Sequence, residues 1–283
     1  MELIFSAALC SVLVSILLKF AKNKGFDALQ MIAWNYAIAS ILSYLWFKPD
    51  LVHISVSATP WWLIIVLGMV LPSIFLCLAK SLQTAGILKT EIAQRLSVVL
   101  SLLDAYFLFQ EQFSQLKIIG VVLGITAVLC LIFSQSGASK TTLNRNGMFF
   151  LLSVWIGYAI VDILLKYTTS LGLQFPVILT LMFICAFILS IVYLLIQKAQ
   201  WKIKNIVAGL LLGFLNFANI ALYVKAHILL KDSPAIVFAG MNILVVLFGV
   251  IAGLFIFKEK LNNITVLGLV LGLAGVMCLA LAI

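Results

Sequence analysis

The chain has 283 residues, 65% of them hydrophobic and 10% charged, with a net charge of +9 and a mean hydropathy of +1.25. A soluble domain of this size could not cover so much apolar side chain with polar surface, so the solvent for most of the chain is lipid. The positive excess does not indicate nucleic acid: no Lys/Arg-rich run with interleaved aromatics is present, and the lysines read as helix-end charges set by membrane topology.

About 20 largely apolar residues make a spanning helix. Ten such segments follow one another, at roughly 3–21, 28–47, 61–81, 90–109, 114–134, 147–167, 175–196, 206–225, 233–256 and 263–282. Each must be helical, because the bilayer core offers no partner to an open strand. The first runs from Leu3 to Phe20 with only Glu2 ahead of it, so it belongs to the fold and is not a cleavable signal. The second holds a lone amide, Asn35, between Trp34 and Tyr36, and stops at Pro49-Asp50. Thr59-Pro60 opens the third, where a proline costs no hydrogen bond. Pro72 lies inside that helix after Gly68, removes a backbone hydrogen bond, and is a hinge candidate or a fixed kink.

The fourth segment is the most polar. Gln94, Ser97, Ser101 and Asp104 are spaced so that one unbroken helix gathers them in an arc of roughly 80° at about 100° per residue. A charged group at membrane depth costs roughly 2.5–3.5 kcal/mol, so this stripe is expected to face the interior. Arg95 lies one turn past Glu91, the spacing of an ion pair. Arg95 is therefore either an anchor for an anionic substrate group or the partner of Glu91. Ser114 is a candidate cap for the fifth helix, and Asn262 or Asn263 for the tenth.

The sixth segment carries Tyr158, Asp162 and Lys166 at intervals of four. Asp162 either binds a cationic group or a coupling proton, or pairs with Lys166. Lys19 and Lys166 are expected to reach the interface rather than a substrate. The eighth offers Asn216 and Asn219. Inward amides beside aromatics suit a small polar or zwitterionic ligand with an apolar body. The ninth is opened by Ser233-Pro234 and carries Asn242, either a counterpart of Gln94 in a shared site or a hydrogen-bonding group between helices. His53 and His227 read as structural or incidental. The five cysteines lie in apolar stretches without metal-ligand spacing, so no metal, disulfide or other cofactor is expected.

The chain repeats itself. Phe107–Ile132 matches Phe255–Ala280 at a shift of 148, with Glu111/Glu259, Gly120/Gly268, Gly124/Gly272 and Cys130/Cys278 among the identities. Ser15-Ile-Leu-Leu-Lys-Phe20 returns as Asp162-Ile-Leu-Leu-Lys-Tyr167. The units are 1–134 and 147–283, joined by a polar linker at 135–146. Five helices is an odd number, so the second unit enters from the opposite side. The expected fold is all-α, ten transmembrane helices as two inverted five-helix repeats, the arrangement that supports alternating access. Gly120, Gly124, Gly268 and Gly272 let backbones approach, either joining the fifth and tenth helices within one molecule or supporting a homodimer.

The loop between the fourth and fifth helices, Phe109-Gln-Glu111-Gln-Phe-Ser114, the following Ile119-Gly120-Val-Val-Leu-Gly124, and their echoes at Phe257-Lys-Glu259-Lys-Leu and Leu267-Gly268-Leu-Val-Leu-Gly272 carry a resemblance. With Cys77-Leu-Ala-Lys80-Ser, they make the chain similar to ten-helix drug/metabolite transporters with two EamA repeats. The resemblance implies a multi-pass protein of the bacterial inner membrane type with both termini inside. The Lys/Arg tally points the other way, since thirteen of the eighteen fall on the face opposite the termini. Where many such proteins have an acid in the first helix, this chain has Ser11 and Ser15, so mechanisms built on that acid do not transfer.

The expected function is a secondary carrier working by alternating access, expected to be an exporter of a small polar or zwitterionic, amino-acid-like metabolite, with lipid and a coupling proton as the other partners. The alternatives are a multidrug or cation efflux carrier and a lipid-linked sugar flippase. An enzyme is not expected: Glu91, Asp104 and Asp162 form no Asp-rich pair for a lipid-acting site, and no GxxxxGK[ST] loop is present.

Overall fold

Ten apolar segments become eleven α-helices in the computed structural model, which describes all residues except 53, 55–58, 110–112, 135–144 and 283 and gives the backbone alone for 22, 23, 105 and 107–109. Among the described residues there is no strand. The helices are α1 (Glu2–Asn23), α2 (Ala28–Phe47), α3 (Trp61–Thr84), α4 (Ile87–Arg95), α5 (Ser97–Phe109), α6 (Gln115–Phe133), α7 (Arg145–Ser170), α8 (Phe175–Ile196), α9 (Ile203–Leu229), α10 (Pro234–Ile251, continued by a π-turn at Ala252–Ile256) and α11 (Asn263–Leu281). Nine described helices, the π-turn counted with α10, are long and apolar enough to cross a membrane. The short α4 and α5 follow one another as the tenth crossing.

The ends are set locally. Asp27 caps α2, accepting from the Leu29 and Gln30 amides at 2.9 and 3.3 Å. Ser114 caps α6 through the Lys117 amide at 3.3 Å, and Asn262 caps α11 through Thr265 at 2.7 Å. Such side chains satisfy amides that have no partner within the helix. Pro72 lies inside an unbroken α3.

One expectation fails. The fourth segment is not a single helix: it starts at Ile87 and breaks at Leu96. Two side chains take up carbonyls at the break. The Ser97 hydroxyl donates to the Gln94 carbonyl at 2.7 Å, and the Trp155 indole donates to the Leu96 carbonyl at 3.0 Å. A serine hydroxyl competing for a helix carbonyl bends helices, and the indole from α7 holds the result in place.

The contacts obey the repeat. Helix α2 packs on α9 as α8 packs on α3, and α1 packs on α9 as α7 packs on α3. Helices α6 and α11 pack on each other. There, a Cβ on Gly120 would lie 2.8 Å from Leu279, and one on Gly268 would lie 3.1 Å from the Ala127 carbonyl. These glycines thus join α6 to α11 within one chain. Gly124 and Gly272 instead face Val99 and Leu96 at the α4–α5 break.

The tightest approach is α9 on α2. A Cβ on Gly209 would meet the Met31 carbonyl at 2.6 Å, and one on Gly213 would meet Ile38 and the α2 backbone at Asn35. Backbone cannot step aside as a flexible side chain can. Gly213→Ala should therefore destabilise the detergent-solubilised protein by about 1–2 kcal/mol, read as a lower thermal unfolding midpoint. An unchanged midpoint would contradict this contact.

Candidate functional site

The break at Leu96 ends α4 in the middle of the bundle, with Arg95 in its last turn. The negative end of the helix dipole favours a cation there. Arg95 and Gln94 open onto a cavity of about 390 Å³. Its polar wall is built from Ser97, Tyr158, Asp162, Asn216, Asn219 and Asn242, and its apolar wall includes Phe75, Phe183 and Met241. Four helices from each repeat contribute, α2 through Tyr36, α3, α4 and α5 from the first and α7 to α10 from the second, so the cavity lies between the repeats.

Of the two readings of Arg95, the Glu91–Arg95 ion pair is not formed: the one ion pair within 4.0 Å among the described residues is Lys19–Glu259. Each partner turns to helix α1 instead. Arg95 donates from Nη2 to the Ser11 hydroxyl at 2.6 Å, and Ser15 donates to Glu91. The guanidinium Nε is buried without a partner. Asp162 is paired with the Ser101 hydroxyl at 3.3 Å, not with Lys166. Arg95 and Asp162 thus face one cavity as opposite charges that do not neutralise each other in contact.

The helix break also redistributes the predicted stripe, because a spacing of 100° per residue holds only along an unbroken helix. Gln94 and Ser97 stay on the cavity wall, Ser101 reaches it through Asp162, and Asp104 lies off the wall with one carboxylate oxygen buried and unpartnered. Asn35 is also off the wall. It is fully buried in α2, where its carbonyl oxygen accepts from Asn216 at 3.2 Å, and its own amide nitrogen has no partner. Asn242 is on the wall, its amide tied back to the Phe238 carbonyl at 2.8 Å. Gln94 and its repeat counterpart Asn242 therefore line the same cavity.

Several wall residues were not singled out from the sequence. Tyr223 follows Asn216 and Asn219 at seven and four residues, the spacing of one helix face, which is a signal the sequence does carry. His227 continues that face, stacks edge-on against Tyr223 at 4.6 Å, and lines an outer chamber of about 480 Å³ shared with Arg95 and Asn219. His53 and Glu111 lie outside the described residues.

The cavity is asymmetric across the membrane. Its lining extends to Phe175, the first residue of α8, and to Ile228 near the end of α9, both on the face of the two termini. On the opposite face Glu259 ties the two repeats together. Its carboxylate pairs with Lys19 and accepts from the Ile87 and Leu88 amides at 2.7 and 3.3 Å, so it caps α4 from the far repeat. Lys19 also lies 4.3 Å from the Phe257 ring centre. Gly86, just before α4, has φ +98°, and a Cβ there would sit 2.7 Å from the Glu259 carboxylate. Only glycine suits both conditions.

The EamA-like transporter family matches residues 2–133 and 145–281. A protein of Haemophilus influenzae described as uncharacterized is 39% identical over 285 residues, covering 98% of this chain and 97% of its own length. Two matched segments, the apolar helices and the central cavity agree on a multi-pass membrane transporter: the chain belongs to the EamA-like transporter family, within the drug/metabolite transporters.

Proposed function

We propose that the protein is a secondary carrier that exports a small zwitterionic, amino-acid-like metabolite by alternating access. The observation that carries this reading is the pairing of Arg95 and Asp162 on one cavity wall without an ion pair between them. A carboxylate fits the open donors of Arg95, and an ammonium fits Asp162. Asn216, Asn219 and Tyr223 supply polar contacts between them, and Phe75, Phe183 and Met241 accommodate an apolar side chain. Charged groups facing a ligand are strongest when paired only on binding, since the low dielectric amplifies both the attraction and the cost of a mismatch.

The asymmetry of the cavity supports alternating access. The Lys19–Glu259 closure seals one face while the lining reaches the other. Exchange of conformation between inverted repeats would reverse that arrangement.

The test is counterflow in proteoliposomes loaded with a panel of amino acids, using isotope-labelled tracers outside. Saturable, self-competing uptake of at least one amino acid is expected. Uptake of none of them, in vesicles shown to contain folded protein, would remove the substrate class.

A further inference from the structure

We infer that Glu91 is a proton-binding site, loaded from the central cavity through Ser15, and that this site couples proton movement to transport. The inference rests on the carrier reading above. Glu91 is 1% exposed. One carboxylate oxygen accepts from Ser15 and the other is buried with no partner. Among the described residues no cationic side chain lies within 4.0 Å of it. An ionised carboxylate left dry and unpaired is costly, whereas the protonated acid is neutral and can itself donate.

A route to the cavity exists. A small chamber of about 20 Å³ is lined by Ser11, Ser15, Gln94, Tyr158, Asn216 and Asn219, and four of these six also line the main cavity. That is room for one water among several polar groups. A proton arriving from the cavity on that water, as hydronium, passes to the Ser15 oxygen while the Ser15 hydroxyl proton moves to Glu91. Two O–H bonds break, on the hydronium and on Ser15, as two form, on Ser15 and on Glu91, and a neutral water remains.

The neighbourhood favours a proton over a fixed ion pair. The charged or titratable side chains described on the packed elements are Glu2, Cys10 and Lys19 on α1, Cys77 and Lys80 on α3, Lys89 and Arg95 on α4, Asp104 and Tyr106 on α5, Cys130 on α6, Arg145, Tyr158, Asp162, Lys166 and Tyr167 on α7, and Cys278 on α11, with Glu259 beyond α10; of these Glu2 and Arg145 stand at the first turns of α1 and α7. Lys117 lies at the far end of α6, and α10 and α11 bring no charged side chain. Arg95 is engaged with Ser11, and Lys19 with Glu259. Asp162 differs from Glu91 in that it opens onto the cavity itself. Glu91 also packs on Gly249 of α10, where a Cβ would lie 3.1 Å from its Cγ. The acid therefore stands at the junction of α1, α4 and α10, next to the closed face. Parting of that junction would bring water to Glu91 from the other side and let the proton leave there.

The experiment is infrared difference spectroscopy of the full-length protein in detergent across a pH titration. One protonated-carboxyl band per chain that shifts in deuterium oxide is expected. It should be absent in Glu91→Gln, kept in Asp162→Asn and Asp104→Asn, and moved in frequency in Ser15→Ala. A band that persists unchanged in folded Glu91→Gln, or that ignores Ser15→Ala, overturns the assignment. In proteoliposomes with the amino-acid panel, Glu91→Gln should keep counterflow while accumulation driven by a pH gradient falls to the level seen without a gradient. Undiminished gradient-driven accumulation in that variant overturns the coupling. If wild-type counterflow fails, the substrate reading falls, while the infrared comparison still decides the proton site.

Discussion

Replacing Arg95 with Gln should weaken the apparent affinity for a zwitterionic substrate by about tenfold to a hundredfold. Hydrogen bonds to a charged group contribute about 1.5–3 kcal/mol, and each 1.4 kcal/mol is about a factor of ten. Glutamine keeps a polar amide near the Nε position but stops short of the Nη2 that bonds Ser11, and it lacks the charge and the fork of donors that a carboxylate requires. Asp162→Asn removes the opposite pole and should cause a comparable loss. The pair of variants discriminates between substrate classes. A carrier of cationic drugs would fail on Asp162→Asn and tolerate Arg95→Gln, whereas an amino-acid carrier should suffer from both. The measurement is the concentration dependence of tracer counterflow for each variant against wild type. Full affinity in Arg95→Gln would rule out the anion-anchor role.

Glu259→Ala should unlock the sealed face. The carboxylate holds an ion pair with Lys19 and two amides at the start of α4, and nothing in alanine replaces them. Pair and cap are only part exposed, with side-chain exposures of 14% and 18% for Lys19 and Glu259, so screening reduces their contribution only partly. Losing them costs about 2–3 kcal/mol in the closed arrangement. That moves an open–closed equilibrium by about thirtyfold to a hundredfold. A single cysteine introduced at Leu88, in a chain whose five native cysteines are replaced, reports the change. Its labelling by a membrane-impermeant thiol reagent should rise by a comparable factor in the Glu259→Ala background. Equal labelling in both backgrounds would mean that Glu259 caps α4 without serving as a closure. Lys19→Met should produce a smaller rise, because the amides at Ile87 and Leu88 would keep their acceptor.

Much of the architecture was legible in one dimension because lipid imposes a simple rule. Each crossing must satisfy its own backbone, so each appears as an apolar run of helix length. The family resemblance rested on Glu259 and on glycines at Gly120, Gly124, Gly268 and Gly272. Glu259 caps a helix, and these glycines stand where helix backbones approach closely or meet the α4–α5 break. Such positions tolerate few residue types, which is why they leave a mark in sequence. The site was partly legible for the same reason: polar residues at membrane depth are costly and therefore conspicuous. Gln94, Arg95, Asp162, Asn216 and Asn219 were found by that rule, and they share one cavity.

The rule identifies polar residues without saying what they face, and Asn35 and Asp104 show the difference. Both stand out on the apolar background, yet one ties α2 to α9 and the other lies away from the wall. The sequence by itself determined the number of crossings, their pairing by internal repeat and the most conspicuous polar groups at membrane depth, because these follow from local apolarity and spacing. The tertiary structure alone decided the break at Leu96 and the partners of the two charges beside it. Trp155, Ser11 and Ser15 come from other helices, and their contacts separate Glu91 from Arg95 although one helical turn would have brought them together. The reason is physical: within a bilayer a polar atom takes whichever partner the packing brings within reach, and packing depends on the whole bundle.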